Sequence, residues 1–319
     1  MKIILGKLPR DFPASIFAVR HLPEVSERHL ERILARASRL AICLVQDRQP
    51  IQAGCVYVAP ADHHLLVFPG YVRITRGPKE NRSRPAIDPL FRSAAAAYGS
   101  RVVGVLLSGL LNDGTAGLAA IKRCGGVTVV QDPDEAAYPQ MVESALEEIE
   151  VDHRLPVAGI ADLLGRLVRE PPGPALPVPR EVWAEVRMAE GEVDDITRED
   201  FAVRPANLTC PDCGGPLNRV ESADLPRFRC RVGHAHTIAS LEASQAEEVE
   251  ASLWAALRIL EERADMLAEM ARVQRDRDRS NVAAVYEERS TEAHAHADRI
   301  RELLQDGVFG PGAPSGEHG

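Results

Sequence analysis

Along the first 170 positions, short β-rich runs alternate with segments whose apolar residues recur at three-to-four spacing. The β-rich runs are 15–19 (SIFAV), 41–44 (AICL), 55–58 (CVYV), 64–68 (HLLVF), 102–107 (VVGVLL) and 127–131 (VTVVQ). Between them, residues 28–37, 89–98, 115–123, 140–149 and 160–168 have the period of amphipathic helices. Strand and helix in alternation predict an α/β fold, a doubly wound and mostly parallel sheet with helices on both faces. The runs at 56–58 and 65–68, joined through Pro60, Ala61 and Asp62, predict a hairpin on one sheet edge.

The pattern changes after Glu170. Residues 171–179 (PPGPALPVP) and the acidic stretch behind them lack an obvious apolar stripe, so 171–206 is expected to be a linker from the domain at 1–170 to the carboxy-terminal part of the chain. A small cysteine/histidine module is expected at 207–237 and a helical hairpin at 238–306. One stripe of that hairpin runs through Val249, Leu253, Ala256, Leu260, Ala264, Leu267 and Ala271, the other through Val282, Val285, Ala293, Ala297, Ile300 and Leu304. The Gly/Pro-rich residues 307–319 are expected to be a disordered tail.

Composition narrows the class. The chain has 319 residues, 45% of them hydrophobic, enough for a substantial core. No window approaches 18 consecutive apolar residues, and residues 1–9 are interrupted too early by Lys7 and Pro9 for a signal peptide, so a cytoplasmic protein with no membrane insertion is expected. A formal net charge of −9 argues against a nucleic-acid partner. Cys43, Cys55 and Cys124 are scattered, as buried small hydrophobes are, whereas Cys210, Cys213 and Cys230 are clustered.

Two polar features fall at the carboxyl ends of predicted strands, where open α/β sheets place their ligands. Asn112, Asp113, Gly114 and Thr115 follow one strand and precede a helix; the same four residues are also ordinary turn and N-cap chemistry. His21 follows another strand. A histidine oriented by an aspartate is the general-base half of a hydrolytic triad, yet no G-x-S-x-G run supplies a nucleophile, and residue types alone leave the reaction open. Elsewhere, adjacent His63 and His64 point to opposite faces of a strand and are expected to be structural.

Several segments, taken in order, resemble one family. LPRDFPA at 8–14, VRHLP at 19–23, GCVYVAP at 54–60, SRPAIDPLFRSA at 83–94, GVLLSGLLNDG at 104–114 and QDP at 131–133 are similar to protein-glutamate methylesterases of the bacterial chemotaxis (CheB) type, without a break from about residue 3 to 168. The resemblance implies a Ser-His-Asp hydrolase acting on glutamyl methyl esters of methyl-accepting chemoreceptors, and also implies glutamine deamidation. It implies that His21 is the general base, that Asp113 orients it and that the backbone near Leu110 helps hold the oxyanion. Arg84, with Arg82, is a candidate for lining the substrate groove, and a methyltransferase is a further candidate partner. In the family the serine sits on a turn ahead of the helix matching residues 2–9, so the resemblance places the nucleophile before the first residue and leaves a first strand missing. Either translation begins upstream, or the chain is a catalytically inactive scaffold in a chemosensory complex. No receiver domain accompanies the match.

The spacing Cys210-x2-Cys213-x16-Cys230-x3-His234 fits a tetrahedral, structural Zn²⁺ site in a zinc-ribbon-like module, with His236 as the alternative fourth ligand. No cofactor is expected for catalysis itself. The module resembles a carboxy-terminal extension of some stand-alone methylesterases.

Overall fold

The computed structural model describes residues 1–21, 29–192, 202–222 and 225–306. The expected tail at 307–319 and part of the expected linker lie outside them. Two compact units divide the chain, Met1–Ser240 and Leu241–Gly319.

The first unit opens with α1 (Lys2–Lys7), β1 (Ile16–Ala18), α2 (His29–Ala37), β2 (Ala41–Cys43), the short β3 (Gln49–Pro50) and β4 (Cys55–Val58). The strands β1, β4 and β2 form a parallel sheet in that order. A second parallel sheet is built from β7 (Val103–Leu106), β8 (Val127–Gln131) and β9 (His153–Leu155), connected through α4 (Thr115–Arg123) and α5 (Gln140–Glu148) and followed by α6 (Val157–Leu167). Successive residues of β8 show why the fold has two layers of helix. Val129 packs among Leu5, Leu34 and Ile160 of α1, α2 and α6, whereas Val130 packs among Leu118, Ile121 and Val142 of α4 and α5. A strand buried on both faces must read as a continuous apolar run, as VTVVQ nearly does.

The expected hairpin between 56–58 and 65–68 does not form. The partner of β5 (His64–Phe68) is β6 (Tyr71–Thr75), antiparallel, with β3 on the far side of β6. The turn decides this: Phe68 pairs with Tyr71, so only Pro69 and Gly70 separate the strands, and Gly70 has the positive φ (85°) that the second position of such a turn requires. Pro60, Ala61 and Asp62 instead carry the chain from the parallel sheet to this antiparallel one. Against β5 lies α3 (Ile87–Tyr98), whose Leu90 and Ala94 share a core with Leu65 and Val67.

The expected linker is the larger correction. Within it, α7 (Arg180–Glu190) lies along α3. Val182 and Val186 join the core of α4 and α5, while Ala184 and Met188 meet Val220 of β11 (Pro216–Ser222). Burying the two valines contributes roughly 1.5–3 kcal/mol each. The stripe at 182, 186 and 189 is real but lies among charges and behind five prolines, which mask it in the sequence.

The Cys/His module is therefore an integral part of the first unit, packed against α7, rather than a tethered appendage. It is a four-stranded antiparallel meander of β10 (Ala202–Thr209), β11, β12 (Leu225–Cys230) and β13 (Ala235–Thr237).

Described by itself, the second unit carries most of α8 (Ile238–Asp276) and α9 (Ser280–Gln305). Ala264, Leu267 and Ala271 are buried, as are Ala283, Ala293 and Ala297, and the Ser290 hydroxyl donates to the Ala264 carbonyl at 2.8 Å. The α9 stripe is shifted from expectation at its start: Val282 and Val285 are exposed and Ala283 and Ser290 face inward, because small residues let two helices approach closely.

Candidate active site and metal centre

Asp113 is 1% exposed in the loop between β7 and α4, and four donors converge on it. Its Oδ2 accepts from His21 Nε2 at 2.6 Å and from the Ile87 N–H at 2.6 Å; its Oδ1 accepts from the Asp88 N–H at 3.2 Å and from Asn81 Nδ2 at 3.3 Å. Ile87 and Asp88 are the first residues of α3, so the carboxylate caps a helix, though not the helix it precedes. Asp88 returns the arrangement: its Oδ1 accepts from the N–H groups of Gly114 (3.1 Å) and Gly117 (2.6 Å) at the start of α4. Each aspartate thus satisfies the orphan donors of the other's helix, where the helix dipole favours negative charge. The N-cap of α4 itself is Gly114, at φ 95°, where a Cβ would come within 2.7 Å of Leu106.

Electrostatics follow from this geometry. Burial alone would raise the Asp113 pKa, but the hydrogen bond and charge of His21 and the two backbone donors outweigh it and hold the carboxyl below its ordinary value. Burial would lower the His21 pKa, and the hydrogen bond and charge of Asp113, with Asp88 behind it, hold it above its ordinary value instead. Asp88, penalised by burial and by the Asp113 charge, is pushed up to about 6. The His21 ring is partly open to solvent, with its Nε2 engaged by Asp113.

The other expected site residues fall differently. Leu110 is exposed in the same loop as Asp113. Arg84 is clamped to Asp62 Oδ1 through Nε (2.9 Å) and Nη2 (2.6 Å) and to the Gly77 carbonyl through Nη1 (2.8 Å), which fixes a loop instead of presenting a guanidinium to a substrate. His64 is structural: it donates to the Pro78 carbonyl and accepts from the Ala86 N–H, holding both ends of the loop that carries Asn81. Cys43 has its thiol pushed up to about 12 by burial and by Cys55, which does not suit it to nucleophilic attack. Among the described residues, Ser15, Ser93 and Ser108 donate their hydroxyls to backbone carbonyls, and no serine bonds the imidazole.

Cys210, Cys213, Cys230 and His234 converge, and together they can hold a metal ion. Cys213 and Cys230 sulfurs are 3.7 Å apart, and His234 Nδ1 is 3.7 Å from Cys210 and 3.6 Å from Cys230. Those are the edges of a tetrahedron whose centre lies about 2.0–2.3 Å from each ligand. His236, the alternative, is fully buried with Nε2 3.3 Å from Asp212 and 3.6 Å from Cys210.

A third group of residues was not revealed by the sequence. Arg92 of α3, Glu80 of the preceding loop, Glu185 of α7, and Arg227 and Arg229 of β12 form a buried ionic cluster. Arg92 meets Glu80 at 2.5 Å and Glu185 at 2.8 Å, and Arg227 pairs with Glu185. Burial and the neighbouring arginines lower the Arg227 pKa to about 9, while Arg92 and Arg229 overcome burial to hold Glu80 at about 2. The arginine spacing in RFR at 227–229 is alternate, which places both side chains on one sheet face; that was the available signal.

Fold and site define a doubly wound α/β domain in which a partly exposed histidine is hydrogen-bonded to a buried carboxylate at the strand ends. Comparison with known proteins makes this specific: residues 1–164 match the family model for CheB methylesterase, and the chain belongs to that family. A relative from Anaeromyxobacter dehalogenans, described as protein-glutamate methylesterase/protein-glutamine glutaminase 2, is 40% identical over 166 residues, covering 52% of this chain and 49% of the relative. The chain thus spans about half the length of that relative. A putative protein-glutamate methylesterase/protein-glutamine glutaminase from Leptospira interrogans is 39% identical over 168 residues, covering 52% of this chain and 87% of the relative. The crystal structure of the Thermotoga maritima CheB methylesterase catalytic domain matches with a TM-score of 0.50 at 33% identity, over 52% of this chain and 90% of that one.

Proposed function

We propose that this protein is a protein-glutamate methylesterase that hydrolyses glutamyl methyl esters of a methylated chemoreceptor, with glutamine deamidation as a related activity on the same partner. The carrying observation is the 2.6 Å contact between His21 Nε2 and a buried Asp113 that is itself fixed by the amino terminus of α3. Held this way, His21 takes the proton of an attacking hydroxyl at Nδ1 and returns it to the departing methoxide, releasing methanol; water then regenerates the acid by the same route. Asp113 keeps the ring in one tautomer and stabilises the imidazolium. The nucleophile comes from outside the described residues, and the backbone around the exposed Leu110 is assigned to the oxyanion.

The metal cluster is assigned a structural Zn²⁺ held by Cys210, Cys213, Cys230 and His234, four protein ligands leaving no open position for hydrolysis. Catalysis itself uses no cofactor. Free cysteines throughout the described residues suit a reducing cytoplasm, and no described helix is long and apolar enough to cross a membrane. A receptor methyltransferase, acting on the same side chains in the opposite sense, is the second partner this assignment implies.

The test is methanol release from methylated receptor membranes by the protein expressed from its own gene. Activity that disappears in His21→Ala supports the proposal; release of methanol undiminished in that variant refutes it.

A further inference from the structure

The Cys/His sheet reaches the catalytic pair through a short, continuous set of contacts. Three residues beyond His234, Thr237 donates from its hydroxyl to Asn112 Oδ1 at 2.6 Å and from its N–H to Asn81 Oδ1 at 3.3 Å. The Ser240 hydroxyl lies 3.4 Å from the same Asn81 oxygen, and Ser240 N–H donates back to Thr237 Oγ1 at 3.2 Å, a capping box at the start of α8. The backbone follows: Asn81 N–H donates to the Ala235 carbonyl at 2.8 Å, and Ala235 N–H to the Lys79 carbonyl at 3.3 Å. With its oxygen held by the module, Asn81 aims its amide at Asp88 Oδ2 (3.1 Å) and Asp113 Oδ1 (3.3 Å).

Asn81 does this at φ 48°, a conformation that costs a non-glycine residue energy and persists where neighbours fix it. Asn81, Asn112, Thr237 and Ser240 are all buried, so a lost contact is not replaced cheaply by water. The position of β13 is in turn set by His234 in the metal cluster just before it and by its pairing, Phe228 against His236, with β12, whose Arg227 and Arg229 enter the ionic cluster with Glu185 and Glu80. Glu80 is the residue before Asn81.

We infer that Asn81 and Thr237 are positioning residues for Asp113, and that metal binding by Cys210, Cys213, Cys230 and His234 is what holds them, so that the Cys/His sheet is a latch on the carboxylate of the catalytic base. The inference rests on the assignment of His21 and Asp113 as base and orienting acid and of the cluster as a zinc site. The module couples metal occupancy, and therefore thiol oxidation at the same cysteines, to the proton affinity of a histidine in a different sheet. Removing the latch takes the Asn81 donor from Asp113 Oδ1 and leaves the Ile87 and Asp88 N–H groups to hold the carboxylate alone, so that its alignment on the His21 ring, and the support it gives the protonated ring, are weakened.

The experiment uses the full 319-residue chain. His21 is titrated by ¹⁵N NMR of its ring in zinc-loaded protein, after chelation with 1,10-phenanthroline, and after restoring ZnCl₂, with zinc per chain measured in each sample. The expected result is a fall of about threefold or more in His21 proton affinity on chelation, reversed by zinc. Thr237→Val, which leaves every metal ligand in place, is expected to keep its zinc and show a fall in the same direction, and Thr237→Ser to titrate like the parent. Zinc that is bound and removed while the His21 titration stays unmoved, or a Thr237→Val chain that titrates like the parent, overturns the latch alone. A chain that binds no zinc overturns it through the metal assignment, and an Asp113→Asn chain with an unchanged His21 titration overturns it through the base-pair assignment.

Discussion

Asp113 is surrounded by four hydrogen-bond donors, one from the imidazole it orients, two from the start of α3 and one from Asn81. Replacing it by asparagine keeps the shape and loses the charge, so Asp113→Asn is expected to lower kcat about 10³–10⁴-fold. The pH dependence has a definite sign. A base with a raised pKa becomes competent only after losing its proton, so the rising limb of kcat/KM against pH is expected above 6.5, the ordinary histidine value. A limb well below 6.5 would contradict the coupling of His21 to Asp113. Asp88 gives an independent reading. Its folded pKa of about 6 exceeds the unfolded value, so its favourable contribution to folding is complete below about pH 4 and is lost as pH rises through 6, opposite to Asp113, whose contribution is lost as pH falls. Urea unfolding of Asp88→Asn at about pH 4.5 and 7 is expected to lack the Asp88 part of that slope. The meeting of His21 with Asp113 was legible because both follow strands, in segments that resemble one family. Asp88 and Asn81 were not, since an aspartate in a first helical turn and an asparagine in a loop are ordinary until a second helix and a second sheet are brought against them.

Among the elements, the strands and helices of the parallel sheets follow from their apolar period, and the misassigned ones share a cause. The partner of β5 is set by the Pro69–Gly70 turn, a local feature that outranks proximity to β4. Helix α7 is set by tertiary packing on α3 and β11, which no local pattern reports. Its Glu185, 2% exposed, is the shared partner of Arg92, Arg227 and Arg229. Glu185→Ala is therefore expected to cost about 3–5 kcal/mol in denaturant unfolding, because it strands buried cations. A change below about 1 kcal/mol would show that water reaches the cluster. At the start of α4, Gly114→Ala combines a φ of 95° with an approach to Leu106, and a loss of about 1–3 kcal/mol is expected by the same assay.

At the scale of the molecule, the half of the chain that matches the methylesterase family is completed by parts that do not. The buried ionic cluster draws one arginine from α3, one glutamate from α7 and two arginines from β12, so family domain, supposed linker and Cys/His sheet share one interior. The sequence showed the boundaries of pattern but not this shared interior, because buried charges read as solvated ones until their partners are known. Metal removal is accordingly expected to lower the Tm of the whole first unit in a single transition, with Cys210→Ser reproducing the effect; an unchanged Tm in zinc-depleted protein would mean the sheet stands without it. The central claim is that His21, oriented by Asp113, is the base of a protein-glutamate methylesterase. Its most direct test is methanol released from methylated chemoreceptor membranes by the protein expressed from its own gene, beside His21→Ala and Asp113→Asn. The account predicts release by the parent and a loss of about 10³-fold or more in both variants; variants that release methanol at the parent's rate would contradict it.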